Sequence, residues 1–400
     1  MKRVLLFHYP QQCYDTINIF SELLSKEFHK LGIETYKINL MQTDNAINHD
    51  LAMALKNDIE AVFSFNTSGQ QNFTINNSNI FDSFEIPFFD YLLDSPIERY
   101  CKQKITSHNF YSICPDRNHV KFLDEHYKEV KKSFFLPLPG IESEKEYVEN
   151  NINSFLKRPY RLSATMSYTD RSVLEEKIGL MEDFQQRLVF DQIDMMLEDR
   201  TLSNSEVQSL VLEKYGMKKE DVNESMRRQI DQLTTTANIY VRGYYREEIV
   251  RYLIAGNISI DIFGSGWDKL DISDFGKVRI HNPVTYFETA DICRKSQMTL
   301  NVMPRFMDGM HDRIPTSMLS GSVCVTDKSK YLEEIVRTKN SENRFLLYDI
   351  SKPDSVIRVL SNVSDDELYK TSINAREYAI KNMTWEYYAD KIIDIMESTK

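Results

Sequence analysis

His311 and Arg313 stand close together in the segment from residue 301 to 321, where they could bind an anion. The apolar run that ends at Met303 predicts a strand just before them, and a short helix is predicted over 316–319. A guanidinium and a helix N-terminus both offer N–H donors and positive charge, so together they bind phosphate oxygens well. Arg313 is therefore a candidate for binding a diphosphate, and His311 for contacting a hydroxyl group or a phosphate.

The same segment leaves a second interpretation open. Asp308 and Asp312 are near Arg313 in the sequence, and the arginine could simply form an ion pair with one of them at the surface. Exposed ion pairs of this kind contribute little to stability. Asp308 is also a candidate for contacting the same ligand as Arg313.

A glycine-containing loop follows another predicted strand, which ends at Phe263. Glycines in such a position allow a ligand to approach the backbone closely and leave amide N–H groups available for oxygen atoms. An ordinary glycine turn between a strand and a helix is equally compatible with the pattern. The candidate binding residues in this loop are Gly264, Ser265, Gly266 and Trp267.

The loop after a strand ending at Ile280 provides two more candidates, Asn282 and Tyr286. Its main-chain groups could contact a nucleotide base, and Tyr286 could pack against it. The alternative is an ordinary connection in which Thr285 begins a helix.

The N-terminal part of the chain contains candidate catalytic and acceptor-binding residues with less specific patterns. Asp94 follows a predicted buried strand and could accept a proton from a hydroxyl group, although it could also cap the helix that Pro96 would begin. His8 follows the first strand. The loop over residues 66–69 could bind an acceptor or could be an unordered polar loop.

No pattern predicts a metal site. The five cysteines are scattered without a CxxC spacing, which argues against zinc and against a disulfide framework and favours a reducing cytoplasm. The acids Asp271 and Asp274 are the nearest approach to a DxD motif, but they are one residue too far apart.

The elements that must position these residues alternate between strands and helices. Over residues 1–157, short apolar runs at Val4–Phe7, Ala61–Phe65 and Phe110–Cys114 are separated by segments with helical spacing. This alternation predicts a Rossmann-like domain with a parallel sheet. Ligands of such sheets bind beyond the carboxyl ends of the strands. The candidate residues follow predicted strands, so they are expected to lie where a ligand binds.

A second Rossmann-like domain is predicted over residues 158–383. Its first strand is followed by a helical insertion at about residues 170–236, after which a helix over Glu247–Ala255 leads into the next strand. A last helix over residues 384–400 is expected to cross back to the first domain. The apolar stripes of the insertion could build a small bundle or a homo-oligomer surface.

Composition and charge exclude several classes of protein. The chain has 400 residues, 42% of them hydrophobic, and a net charge of −11, which disfavours a nucleic-acid partner. No stretch approaches the roughly 18 unbroken apolar residues of a transmembrane helix. A folded, cytoplasmic protein is predicted.

The order of the motifs resembles that of bacterial family 1-type glycosyltransferases, particularly the CgeB-like group. The matching segments are Leu300–Asn301, Arg313, Ser320–Gly321, Val325–Asp327, Ile262–Trp267, Tyr91–Pro96, Cys114–His119 and Asn382–Glu386. The resemblance implies a GT-B fold, with two Rossmann-like domains facing a cleft. It also implies that Arg313 contacts the diphosphate of a nucleotide-sugar, that Gly264–Trp267 and Asn282 surround the nucleotide, and that the acceptor lies near Asp94.

The resemblance predicts a metal-independent glycosyltransferase that moves a sugar from a nucleotide-sugar, UDP-sugar favoured, to a hydroxyl group on a protein or a surface glycan. No separate cofactor is expected. One departure concerns Thr316, where many relatives have a glutamate that holds the donor; threonine can form a hydrogen bond but supplies no carboxylate. An inactive partner subunit of a transferase and a nucleotide-sugar epimerase are the alternatives.

Overall fold

The computed structural model describes residues 2–9, 15–75, 78–143, 151–218, 222–272, 276–336 and 343–400. The chain divides into two compact units. The first consists of Met1–Pro139 together with Asn382–Lys400, and the second of Gly140–Lys381. The sequence prediction put the domain boundaries later, at residues 158 and 384.

The first unit is built around a parallel sheet whose strands are in the order β2-β1-β3-β6-β7-β8. Its elements are β1 (Arg3–His8), α1 (Thr16–Lys30), β2 (Glu34–Asn39), α2 (Asp44–Lys56), β3 (Ala61–Phe65), the short hairpin β4 (Thr74–Ile75) and β5 (Ser78–Asn79), β6 (Phe88–Tyr91), α3 (Pro96–Tyr100), β7 (Phe110–Cys114), α4 (Arg117–His126) and β8 (Lys132–Phe135).

Continuous apolar runs form the central strands of this sheet. All residues of β3, β6 and β7 are buried, as expected for strands covered by helices on both faces. The chain leaves β1 towards β2 on one side and then returns to β3 on the other. The carboxyl ends of β1 and β3 therefore form a topological switch point, where Rossmann-like sheets bind ligands.

The last helix of the chain, α15 (Trp385–Glu397), belongs to the first unit and packs on α1. Trp385 is buried, and its ring lies 4.9 Å from that of Phe20 and 6.2 Å from that of Phe65, centroid to centroid. The helix begins as the sequence predicts, because the side chain of Thr384 accepts a hydrogen bond from the amide of Tyr387.

The second unit has a parallel sheet in the order β11-β10-β9-β12-β13-β14. Its elements are α5 (Ile152–Leu156), β9 (Tyr160–Thr165), α6 (Arg171–Gly179), α7 (Asp183–Glu198), α8 (Asn204–Lys214), α9 (Glu224–Ala255), β10 (Ile260–Phe263), β11 (Val278–His281), α10 (Tyr286–Arg294), β12 (Ser296–Asn301), α11 (Arg313–Leu319), β13 (Val323–Asp327), α12 (Lys330–Val336), β14 (Leu346–Tyr348), α13 (Ser355–Ser361) and α14 (Asp365–Asn382). The switch point lies between β9 and β12.

The helical insertion predicted at about residues 170–236 is present as α6 to α9, and it is longer than predicted. The helix predicted over Glu247–Ala255 is not separate; it is the last part of α9, which runs for 32 residues. Val189, Val207 and Val241, from three of these helices, are fully buried in one core. Their apolar stripes therefore pack as a bundle against the sheet.

Candidate functional site

Arg313 lies at the switch point of the second sheet. Its Nη1 donates a hydrogen bond to the carbonyl oxygen of Thr165, the last residue of β9, and its Nη2 donates one to the carbonyl oxygen of Val302, just after β12; both distances are 3.3 Å. The two strands that diverge at this point are thus linked by one guanidinium. This is the position at which ligands of doubly wound sheets bind.

Two arginines of α9 add positive charge to the same place. Arg246 donates a hydrogen bond from Nη1 to the carbonyl oxygen of Ser167 at 2.5 Å, and both Arg242 and Arg313 act electrostatically on it. Arg242 also acts on Arg313. We call Arg242, Arg246 and Arg313 the arginine triad.

The pKa shifts of Arg246 and Arg313 indicate that too little negative charge surrounds the triad. Burial lowers the pKa of Arg246 well below its usual value, and the neighbouring Arg313 and Arg242 lower it further. Burial also lowers the pKa of Arg313; Asp312 opposes that shift and Arg242 adds to it. A lowered arginine pKa means that the site disfavours its own positive charge, and a bound anion relieves this.

The alternative in which Arg313 only forms a surface ion pair with Asp308 or Asp312 is wrong. The guanidinium is partly buried and donates to the backbone carbonyl oxygens of Thr165 and Val302. Asp312 is instead paired with His311 and accepts a hydrogen bond from the hydroxyl of Tyr286.

The structure thus brings the candidate residues Tyr286, His311 and Arg313 together around Asp312, a grouping that the sequence did not predict. Burial alone raises the pKa of Asp312, but His311 and Tyr286 outweigh it and lower the pKa to about 2. Asp312 is therefore a fixed negative charge that orients His311 and Tyr286. Arg313 is the first residue of α11, which begins earlier than the predicted start near Thr316.

The loop over Gly264–Trp267 packs directly against the backbone of residues 166–168. A Cβ atom on Gly264 would lie 2.1 Å from the carbonyl oxygen of Met166, and one on Gly266, where φ is +85°, 2.2 Å from that of Tyr168. These glycines are required for the close approach of the two segments. The Oγ of Ser265 lies 3.1 Å from that of Ser167, so this loop adjoins the residue that Arg246 contacts.

Trp267 has a packing role. Its ring is completely buried, and its indole N–H donates to the carbonyl oxygen of Met166 at 2.7 Å. Because the ring is enclosed in the core, only the backbone of Trp267 could contact a ligand.

The other predicted donor-site residues differ in burial. Asn282 is exposed and Asp308 is buried. Thr285 begins α10 with a capping box, as the alternative for this loop proposed. The hydroxyl of Thr316 is buried, accepts a hydrogen bond from the amide of Ile141 at 3.1 Å and is also hydrogen-bonded to the hydroxyl of Tyr286, so Thr316 adjoins the residues around Asp312.

In the first unit, Asp94 follows β6 and is held by two side chains. Arg99 forms an ion pair with its Oδ2, and the amide nitrogen of Asn66 donates to the same oxygen at 3.1 Å. Asp94 lies one residue before Ser95, the N-cap residue of α3. The predicted catalytic role of Asp94 stays a prediction.

The loop over residues 66–69 is ordered and largely buried, so the interpretation as an unordered polar loop is wrong. Asn66 and Thr67 have φ angles of 50° and 65°, in the left-handed region. Asp90 holds this turn by accepting a hydrogen bond from the amide of Thr67 at 2.7 Å, and Asn66 accepts one from the amide of Leu93. His8 pairs with Glu22 at 3.2 Å.

Within the described ranges, no group of three or more His, Cys, Asp or Glu side chains is arranged to hold a metal ion. Ser273 and Asp274, part of the nearest DxD-like segment, lie outside those ranges, as does Cys13. The other four cysteines are buried and are not joined in disulfide bonds among the described residues. None of the described helices has both the length and the apolar character needed to cross a membrane.

Residues 246–394 match a protein-family model described as glycosyl transferase-like. The match begins at Arg246 and includes Arg313 and the Gly264–Trp267 loop. It supports the resemblance to glycosyltransferases, while the narrower resemblance to the CgeB-like group stays a prediction. No curated protein matches the chain.

Solved structures share the fold over the whole chain. Sucrose-phosphate synthase from Thermosynechococcus elongatus has 9% sequence identity and a TM-score of 0.54, with 100% of this chain and 99% of that chain covered. HepE from Anabaena, solved in complex with UDP-glucose, has 9% identity and a TM-score of 0.55, with 100% of both chains covered. The predicted α/β fold class, two Rossmann-like domains of GT-B type with a helical insertion in the second, is confirmed.

Sequence reasoning missed Arg242 and Arg246. Both lie inside α9, and a charged residue within a helix normally indicates a solvated face. Their spacing of four residues could have indicated this site, because residues four apart lie on the same face of a helix. Gly243 lies between them. A Cβ on Gly243 would lie 2.9 Å from the carbonyl oxygen of Thr169, so this face of α9 lies against the chain after β9.

Proposed function

We propose that this chain is a glycosyltransferase that moves a sugar from a nucleoside diphosphate sugar to a hydroxyl group. The observation that carries the proposal is the arginine triad at the β9–β12 switch point. Three guanidinium groups share a partly buried site there, and a diphosphate is an anion that can neutralise them. The glycosyl transferase-like match over residues 246–394 supports this assignment.

The triad can also assist the reaction itself. When the bond to the sugar breaks, negative charge grows on the diphosphate, and guanidinium groups already fixed in place stabilise that charge without rearrangement. Arg313 is fixed by the carbonyl oxygens of Thr165 and Val302, and Arg246 by that of Ser167. In this proposal they do the work that a metal ion does in other transferases.

We take UDP as the first nucleotide to test, because HepE has this fold and was solved with UDP-glucose. Asp94 is the proposed base for the acceptor hydroxyl, with Arg99 and Asn66 fixing its carboxylate. A protein or surface-glycan acceptor, metal independence, homo-oligomer formation through the insertion and a cytoplasmic location stay predictions.

The proposal is tested by thermal stabilisation and donor hydrolysis with UDP-, GDP- and dTDP-sugars. We expect one donor to stabilise the protein and to be hydrolysed slowly, and both effects to be lost in Arg313→Ala and Arg246→Ala. Arg358→Ala is the matched control, because Arg358 is an exposed arginine of α13 in the same unit. If well-folded protein responds to no donor, the transferase proposal is wrong.

A second candidate function is an inactive partner subunit of a transferase. The observation in its favour is Thr316, which is buried against Ile141 and supplies no carboxylate to a donor. Binding of a nucleotide-sugar without hydrolysis or transfer would support this candidate. Turnover that depends on Arg313 would rule it out.

A further inference from the structure

A second group of arginines, Arg200 and Arg305, is buried in the second unit with hydrogen-bonding groups left over. Their exposed fractions are 8% and 7%. Arg200 lies between α7 and α8 of the helical insertion, and Arg305 lies in the loop that follows β12. We call these two residues the arginine pair.

The contacts of the arginine pair occupy only some of the hydrogen-bond donors of each guanidinium. Arg305 donates from Nη2 to the carbonyl oxygen of Leu202 at 2.7 Å. The guanidinium carbon of Arg200 lies 3.2 Å from the centroid of the Tyr245 ring. The Nε and Nη1 atoms of both arginines are shielded from solvent and have no hydrogen-bond acceptor among the described residues.

Negative side chains act on the arginine pair from a distance, Asp327 and Asp349 on Arg200 and Asp199 on Arg305. None of them accepts a hydrogen bond from the Nε or Nη1 atoms among the described residues, and a buried donor without an acceptor is unfavourable because it has lost its hydrogen bonds to water. Burial lowers the pKa of Arg305 to about 10, with Arg200 as the next cause, and burial also lowers the pKa of Arg200. Arg305 has a φ of 58°, a left-handed conformation that is unfavourable for a residue with a side chain and is often found at ligand sites.

The arginine pair lies near the arginine triad. Asp327 and Tyr348 are each influenced by Arg200 and by Arg313. Val302, whose carbonyl oxygen binds Arg313, is three residues before Arg305, so at most about 11 Å of chain separates them. A group attached to a diphosphate that the triad binds is therefore within reach of the arginine pair.

We propose that Arg200 and Arg305 bind a carboxylate on the transferred sugar, so that the donor is a nucleoside diphosphate uronic acid. The inference rests on the proposed function. A neutral hexose offers hydroxyl groups only, whereas a carboxylate brings a negative charge and two oxygens that accept several hydrogen bonds from forked guanidinium groups. Entry of the carboxylate requires the two side chains to turn towards it, which the four unsatisfied donors favour.

The experiment compares donors that differ only in one group. Binding of UDP-glucose and UDP-glucuronate, UDP-galactose and UDP-galacturonate, and GDP-mannose and GDP-mannuronate to the full chain is measured by calorimetry. In at least one pair we expect the acid to bind about tenfold or more tightly than the neutral sugar, the size expected for hydrogen bonds to a charged group. Arg305→Gln and Arg200→Gln should reduce that ratio to near one, while Arg358→Gln should leave it unchanged.

The outcomes separate the two proposals. If nucleotide-sugars bind but no acid is preferred, or if the preference survives in both glutamine variants, the uronic acid inference is wrong and the transferase proposal stands. If UDP-, GDP- and dTDP-sugars all fail to bind, the transferase proposal itself fails. If a glutamine variant does not fold, Arg305→Lys and Arg200→Lys replace it, because lysine retains the positive charge. We expect these lysine variants to keep part of the preference for the acid. The ratio of acid to neutral affinity in the wild-type protein can overturn the inference without any variant.

Discussion

Arg246 of α9 donates a hydrogen bond to the carbonyl oxygen of Ser167, 79 residues earlier in the chain, at 2.5 Å. This contact joins the last helix of the insertion to the segment after β9. Two neighbouring carbonyl oxygens hold other parts of the site. That of Thr165 accepts a hydrogen bond from Arg313, and that of Met166 accepts one from Trp267. The helical insertion therefore contributes directly to the candidate site.

The first prediction concerns the balance between stability and binding at Arg246. We expect Arg246→Met to raise the free energy of unfolding of the protein alone by about 1 kcal/mol, because it removes one of three neighbouring, partly buried positive charges. The same variant should bind UDP about tenfold or more weakly, because a charged hydrogen-bond donor is lost. Urea denaturation and calorimetry measure the two effects.

Arg358→Met is the control for this prediction, since Arg358 is exposed. It should change neither quantity appreciably. A variant at Arg246 that is less stable than wild type and binds UDP normally would show that Arg246 serves packing alone.

The second prediction tests the close packing of the glycine loop. Gly264→Ala should destabilise the protein by more than about 3 kcal/mol, because its Cβ would collide with the backbone of Met166, which cannot move aside as a flexible side chain can. Gly179→Ala is the matched control: nothing lies within 4 Å of its Cβ at the end of α6. That control should be neutral or stabilising by up to about 1 kcal/mol. Thermal melts of similar midpoint for both variants would contradict the prediction.

The third prediction concerns the pH dependence of stability. Burial raises the pKa of Asp90 to about 6, although the Thr67 amide and the Tyr100 hydroxyl partly oppose it. The unfolded chain releases this proton near pH 3.9, so between about pH 4 and 6 the folded protein binds more protons than the unfolded chain. The contribution of Asp90 to stability therefore decreases as pH rises through this window, by about 3 kcal/mol in total.

Asp90→Asn removes this titration. We expect the stability of the variant relative to wild type to increase between pH 4 and pH 7, as followed by urea denaturation at each pH. Asp124→Asn, an exposed position on α4, provides the comparison and should give no such trend. A constant difference between Asp90→Asn and wild type would contradict the prediction.

The fourth prediction tests the place of the C-terminal helix in the first unit. Trp385→Ala should cost about 3–5 kcal/mol, because the buried ring packs against Phe20 and Phe65 and its loss leaves a cavity. Tyr387→Ala, at a position that is 37% exposed on the same helix, should cost less than about 1 kcal/mol. Equal losses for the two variants would show that the helix does not depend on this contact.

Much of the fold could be predicted from the sequence because it depends on local patterns. Ala61–Phe65 and Phe110–Cys114 were predicted with the bounds that the structure has, since a buried parallel strand is a continuous apolar run. The last helix also begins at its predicted start, because the Thr384 cap involves residues only three apart.

The candidate site was only partly predictable. Arg313 could be found because it follows a strand and therefore lies at the carboxyl edge of a sheet. What that guanidinium contacts depends on β9, which is 148 residues away in the chain. The same holds for Arg246, since no local pattern shows which side of a 32-residue helix faces the sheet.

The sequence by itself therefore determined the alternation of strands and helices and the two Rossmann-like domains. It also identified Arg313, which follows β12 in the chain. The tertiary structure decided which charges meet: Arg242 and Arg246 with Arg313, and Arg200 with Arg305. It also decided that Thr316 packs against Ile141. The physical reason is that strands and caps depend on neighbours in the chain, whereas buried charges depend on groups brought together from distant segments by the order of strands in the sheet.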